Sequence, residues 1–110
     1  MSETALVKAC LEYLRLIGCY VWRNNTGMLY NKVGRPVAFG KVGSSDILGI
    51  LPGGRFLAVE CKIGRNPLSR SQQTFLDEVG RTGGLAIVVR DSVDSLVDRL
   101  GPRRRESEDE

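Results

Sequence analysis

Three residues in the stretch SSDILGILPGGRFLAVECKIG, which begins at Ser44, have types and spacing suited to chemistry: Asp46, Glu60 and Lys62. Asp46 precedes one apolar run, and a Pro-Gly-Gly turn leads to a second run interrupted by Glu60 and Lys62. Successive strand side chains point to opposite faces, so Glu60 and Lys62 share a face while Val59, Cys61 and Ile63 take the other. The short turn predicts an antiparallel hairpin. That hairpin brings Asp46 opposite the end of the strand carrying Glu60, so two carboxylates and an ammonium meet at one edge of a sheet. Burying such charges costs several kcal/mol unless they are paired or hold a metal.

Two carboxylates with the backbone carbonyl of Cys61 make a partial oxygen cage for Mg²⁺ or Mn²⁺. A hard cation there polarises a phosphate and activates water, and Lys62 orients that water or stabilises developing negative charge. The bland alternative is a Glu60–Lys62 ion pair at a strand end, with Asp46 capping a turn.

Composition narrows the chemistry. The 110 residues contain no histidine, which removes Ser-His-Asp and Cys-His mechanisms and most transition-metal sites. The three cysteines, Cys10, Cys19 and Cys61, are odd in number and lack paired spacing, so they read as small buried residues in a reducing compartment. No apolar run reaches membrane-spanning length. The N-terminus lacks the pattern of a signal peptide, so a cytoplasmic protein is expected. No small organic cofactor is called for. The net charge of +3 is compatible with a nucleic-acid partner.

The elements that must hold the three residues can be read along the chain. Leu6, Cys10, Tyr13, Leu14 and Ile17 recur at helical spacing, with Ser2 placed to cap the helix and Gly18 to end it. CYVWRN reads as a short strand. TGMLYNKVGRPVAFGKVG, rich in glycine and basic residues, reads as a loop with one short extended piece. SDILGIL and RFLAVECKI are the two hairpin strands. SRSQQTFLDEVGRTGG is a second helix in which Ser69 and Gln72 match a capping box. LAIVVRD is a strand covered on both faces, and SVDSLVDRL a final short helix. The chain is expected to be one α/β domain over residues 1–101, a small mixed sheet flanked by helices, with residues 102–110 a charged, disordered tail.

Between the first strand and Asp46, Arg23, Lys32, Arg35 and Lys41 suit phosphate contacts, interleaved with Trp22, Tyr30 and Phe39. They equally suit a solvated loop. Asn24 and Asn25 close the first strand and can face the site, and Arg65 and Arg70 extend positive charge on its other side.

Over residues 3–95, SSDILGILPGGRFLAVECKIG followed by LSRSQQTFLDEVGRTGGLAIVVR resembles the PD-(D/E)xK nuclease superfamily. Within it the chain looks like the VRR-NUC (virus-type replication-repair nuclease) family in its small stand-alone phage form. The resemblance implies a restriction-endonuclease-like fold, with metal held by Asp46, Glu60 and the Cys61 carbonyl and with Lys62 as the motif lysine. It also implies site roles for Glu3 on the first helix and for Gln72 after the motif. Glu3 otherwise only complements the helix dipole, Gln72 only closes its capping box, and Gln73 is adjacent. Ser45 departs from the proline of the superfamily pattern. The activity implied is a Mg²⁺- or Mn²⁺-dependent DNA endonuclease that leaves 5′-phosphate and 3′-hydroxyl ends. It would act as a homodimer on branched DNA such as a four-way (Holliday) junction, in the cytoplasm of a bacterial or phage-infected cell. The competing readings are a non-catalytic nucleic-acid-binding module and a nuclease subunit that needs a repair partner.

Overall fold

A computed structural model describes residues 1–101; the expected disordered tail, 102–110, lies outside the described residues. Helix α1 runs Glu3–Leu16 and opens as its sequence predicts, with the Ser2 hydroxyl accepting the Ala5 N–H at 3.0 Å. Strands β1 (Tyr20–Arg23), β4 (Ile47–Ile50), β5 (Phe56–Lys62) and β6 (Leu85–Arg90) form a sheet in the order β1-β4-β5-β6. Among the described residues, strands β2 (Gly27–Tyr30) and β3 (Pro36–Phe39) pair only with each other. Helix α2 (Arg70–Arg81) crosses from β5 to β6, and α3 (Asp94–Leu100) follows β6.

The sheet is mixed: β4 pairs antiparallel with β1 and β5, and β6 pairs parallel with β5. The parallel step requires a crossover, which α2 supplies. Gly49 lets β1 approach β4, since a Cβ there would run into the Tyr20 carbonyl. The β4–β5 hairpin turns through Pro52–Gly54, with the Leu51 N–H bonded to the Arg55 carbonyl at 2.8 Å. Over the described residues the chain is thus an α/β fold with a small mixed sheet and three helices, as composition and patterning predict.

Alternation along β5 divides the interior. Leu57, Val59 and Cys61 pack with α1 and α3 in the main core, joined by Leu6, Leu14 and Leu96. Ala58 packs on the other face against Leu76 and Val79 of α2. That helix covers β5 and β6, and an open groove of about 860 Å³ lies alongside it over Leu48 and Phe56. Among the described residues no helix is long and apolar enough to cross a membrane.

One reading is corrected. Residues 26–43 are not a loop with a single extended piece but a two-stranded ribbon, β2–β3, exposed along both strands. Burial never alternates along it, so the period-2 pattern that marks a half-buried strand has no cause to appear.

Candidate active site

The last β4–β5 pair is Ile47 with Val59, so beyond it the N–H of Cys61 has no strand partner. Asp46 supplies one: its Oδ2 accepts the Cys61 N–H at 2.8 Å. The N–H and C=O of a strand residue lie on the same side, so the Cys61 carbonyl also faces the gap where β4 has ended. The turn before Asp46 is held by Asn24. Its side-chain Nδ2 donates to the Ser44 Oγ at 2.6 Å and the Ser45 carbonyl at 2.9 Å, and its backbone N–H donates to the Asp46 carbonyl at 2.7 Å.

Glu60 follows on β5, facing α2, and is only 2% exposed. Its Oε2 accepts from Gln72 Nε2 at 3.1 Å, while its buried Oε1 meets no hydrogen-bond donor among the described residues. Burial pushes the Glu60 carboxyl from its ordinary 4.5 up to about 8; Asp46 adds to the rise, Lys62 opposes it, and Glu3 adds a smaller push. Lys62, two residues on, is 6% exposed.

The bland alternative does not describe this arrangement. Among the described residues the ion pair within 4.0 Å is Arg81 with Glu78, on the surface, so Lys62 makes no ion pair with Glu60. Asp46 bonds across to β5 rather than capping its own turn. A buried carboxyl with an orphaned oxygen, next to a second acid, is costly unless something else completes it.

Gln72 reconciles its two expected roles. Its Oε1 accepts the Ser69 N–H at 2.9 Å, closing the capping box, and its Nε2 holds Glu60. Gln73 points away and bonds Asp77 at 2.9 Å. Glu3, half-buried in the first turn of α1, lies within electrostatic reach of Glu60 but makes no hydrogen bond to it. The Cys61 side chain lies on the opposite face, buried, its Sγ 3.9 Å from that of Cys10. This contact with the Cys10 thiol, and then burial, hold the Cys61 thiol well above its ordinary range.

The expected phosphate-contacting residues are dispersed. Lys32 and Arg35 sit in the turn of the β2–β3 ribbon, and Arg23 is exposed on β1. Lys41 and Arg70 line the groove beside α2, and Arg65 is exposed in the segment between β5 and α2. Asn25 is exposed and its side chain makes no hydrogen bond among the described residues, whereas its neighbour Asn24 positions the Asp46 turn. A second positioning residue, Arg90, went unread in the sequence. Its Nη1 donates to the carbonyls of Gly64 at 2.8 Å and Asn66 at 2.7 Å, fixing the chain that leaves Lys62.

Among the described residues no three acidic, thiol or imidazole side chains converge as a ready metal set; the acids form a pair, with Glu3 outlying. A pair still fits Mg²⁺, which is commonly bound by one or two carboxylates and completes its octahedron with water and phosphate oxygens. The orphaned Glu60 Oε1, the neighbouring Asp46 carboxyl and the Cys61 carbonyl are the oxygen donors such an ion takes. Neither protein-family models, nor curated proteins, nor solved structures match the chain.

Proposed function

We propose that the chain is a metal-dependent DNA endonuclease with a PD-(D/E)xK-type core, of the kind the VRR-NUC resemblance implies. It would act as a homodimer on branched DNA, such as a four-way junction, in the cytoplasm. The observation that carries this reading is the buried Glu60 carboxyl against Asp46, its Oε1 given no hydrogen-bond donor among the described residues. A divalent cation is a partner that this oxygen donor set suits.

Asp46, Glu60 and the Cys61 carbonyl would hold Mg²⁺ or Mn²⁺. The ion, when bound, supplies Lewis-acid polarisation of the scissile phosphate and lowers the pKa of a bound water. The chain's own residues do the remaining work. The Cys61 N–H and the Gln72 amide each fix one carboxylate oxygen and leave the others free to ligate. Lys62 makes no ion pair within 4.0 Å among the described residues and would stabilise charge on a phosphate. Asn24 keeps the Asp46 turn from swinging out.

The test uses purified chain with a labelled four-way junction and a matched linear duplex, in Mg²⁺, Mn²⁺ and EDTA, with Glu60→Gln and Lys62→Ala alongside. Metal-dependent cutting lost in both variants supports the reading, and the junction-to-duplex ratio assigns the substrate. Folded wild-type chain that binds DNA but cuts neither substrate overturns it in favour of a binding module or a subunit that needs a partner.

A further inference from the structure

The open half of the sheet adjoins the acid pair on the same face. Trp22 pairs with Leu48, which pairs with Ala58; two steps away, Tyr20 pairs with Ile50, which pairs with Phe56. Alternation puts Asp46 on the side of Leu48 and Glu60 on the side of Ala58, so the two acids stand at one end of this row. Helix α2 packs on β5 and β6, and beyond it Tyr20 is 72% exposed, Trp22 41% and Phe56 39%. The Tyr20 and Trp22 rings meet edge to face, centroids 5.7 Å apart, a contact that restrains both side chains.

The groove of about 860 Å³ continues this floor past Phe75 and Val79, and Lys41 and Arg70 line it as well. Among the described residues neither cation has an ion-pair partner within 4.0 Å, whereas the acid lining the groove, Glu78, is paired with Arg81 at 2.7 Å. Aromatic side chains on a floor with uncompensated positive charge beside it are the two ingredients of a single-strand nucleic-acid surface: bases stack on the rings and phosphates meet the cations.

We propose that this floor is a stacking subsite for unpaired DNA. The strand whose phosphate meets Asp46 and Glu60 continues along β4, its bases on Trp22, Leu48 and Phe56 and its backbone toward Lys41 and Arg70. The proposal rests on the nuclease reading for the place of that phosphate, and it adds the substrate class: DNA with an unpaired arm at the branch. Strand β4 advances ~13 Å from Asp46 to Ile50 at ~3.3 Å per residue, which takes more than one base at the ~3.4 Å rise of a stacked strand. Continuous duplex is the weaker occupant, because it turns phosphate and sugar outward and gains nothing from an apolar floor. An apolar peptide is weaker too, because it leaves Lys41 and Arg70 without a counter-charge.

The test titrates the full chain, in EDTA so that no cleavage intervenes, with a mixed-sequence single strand and with its blunt duplex at one salt concentration. Trp22 is the one tryptophan of the chain, so its emission reports directly on this floor. The single strand should quench it and should bind at least about tenfold tighter than the duplex, the scale of one stacked base. Trp22→Ala should weaken single-strand binding by about tenfold and leave duplex binding unchanged, while Trp22→Phe, which keeps a ring, restores most of the loss. Lys41→Ala should flatten the salt dependence of single-strand binding. Equal affinity for the two DNAs overturns the proposal, as does Trp22 emission unmoved by saturating single strand. A quench that follows chain concentration without DNA puts a second copy on this face and also overturns it. A chain that binds single strands in this way but never cuts supports the subsite and fails the nuclease reading alone. One that cuts junctions yet binds both DNAs equally fails the subsite alone.

Discussion

The Gln72 side chain bonds in two directions at once: its carbonyl oxygen closes the start of α2 on Ser69 at 2.9 Å, and its amide nitrogen holds Glu60 at 3.1 Å. Helix initiation and site geometry therefore depend on one residue. Substituting Gln72→Glu separates them. Glutamate still satisfies the capping box, but it places a third acid against Glu60 and removes the donor. The variant should match wild-type melting temperature at pH 5, melt several degrees lower at pH 8, and lose cleavage by roughly tenfold or more. Thermal melts at the two pH values and a cleavage rate check it.

The raised Glu60 pKa makes a signed prediction for the metal-free chain. The folded state holds its proton up to about 8, against an ordinary 4.5. Between these values the folded state binds more protons than the unfolded one, so stability falls as pH rises through that window and levels off above it. Denaturant titrations in EDTA from pH 5 to 9 read this directly. A stability rising across that range would contradict the buried, proton-holding Glu60.

Glu60→Gln removes the costly carboxylate and keeps its shape. Without metal at pH 8, the variant should melt higher than wild type by roughly 5 °C, the stability-for-activity exchange expected where a site is strained. At pH 5 the two should coincide. Cleavage should fall at least about a hundredfold, and the thermal shift on adding Mg²⁺ should vanish.

Asn24 and Asn25 form a matched pair for testing position against composition. Asn24→Ala deletes both side-chain bonds to the Asp46 turn; it should cost about 1–2 kcal/mol of stability and lower cleavage by at least about tenfold. Asn25→Ala should stay within about 0.5 kcal/mol of wild type. Chemical denaturation and parallel rate measurements distinguish them.

Much of this arrangement was legible in the sequence, for identifiable reasons. Periodicity and a short Pro-Gly-Gly turn sufficed for the β4–β5 hairpin, and with it the meeting of Asp46, Glu60 and Lys62. The Ser69–Gln72 spacing marked the start of α2. Asn24 and Asn25 could not be ranked because a one-residue shift at a strand end exchanges the inward and outward faces, and the register there is set by pairing with β4, not by local sequence. Arg90 was silent because its role is to reach carbonyls 24 and 26 positions earlier in the chain. The basic residues suited equally to phosphate contacts or to a solvated loop lie close in sequence, yet the topology spreads them over β1, the turn of a separate strand pair, the rim of a groove and the segment before α2.

Strand β5 is buried at six of its seven positions and lies between β4 and β6. Its amides therefore belong to the unit that opens only with the whole domain. In native-state hydrogen exchange, Val59 and Cys61 should be among the slowest amides to take up deuterium, while those of the unbound β2–β3 ribbon exchange almost at once. A site seated on the slowest-opening strand has no low-energy route to partial loss. Heating should leave its geometry intact until the cooperative transition and then abolish it at a single temperature.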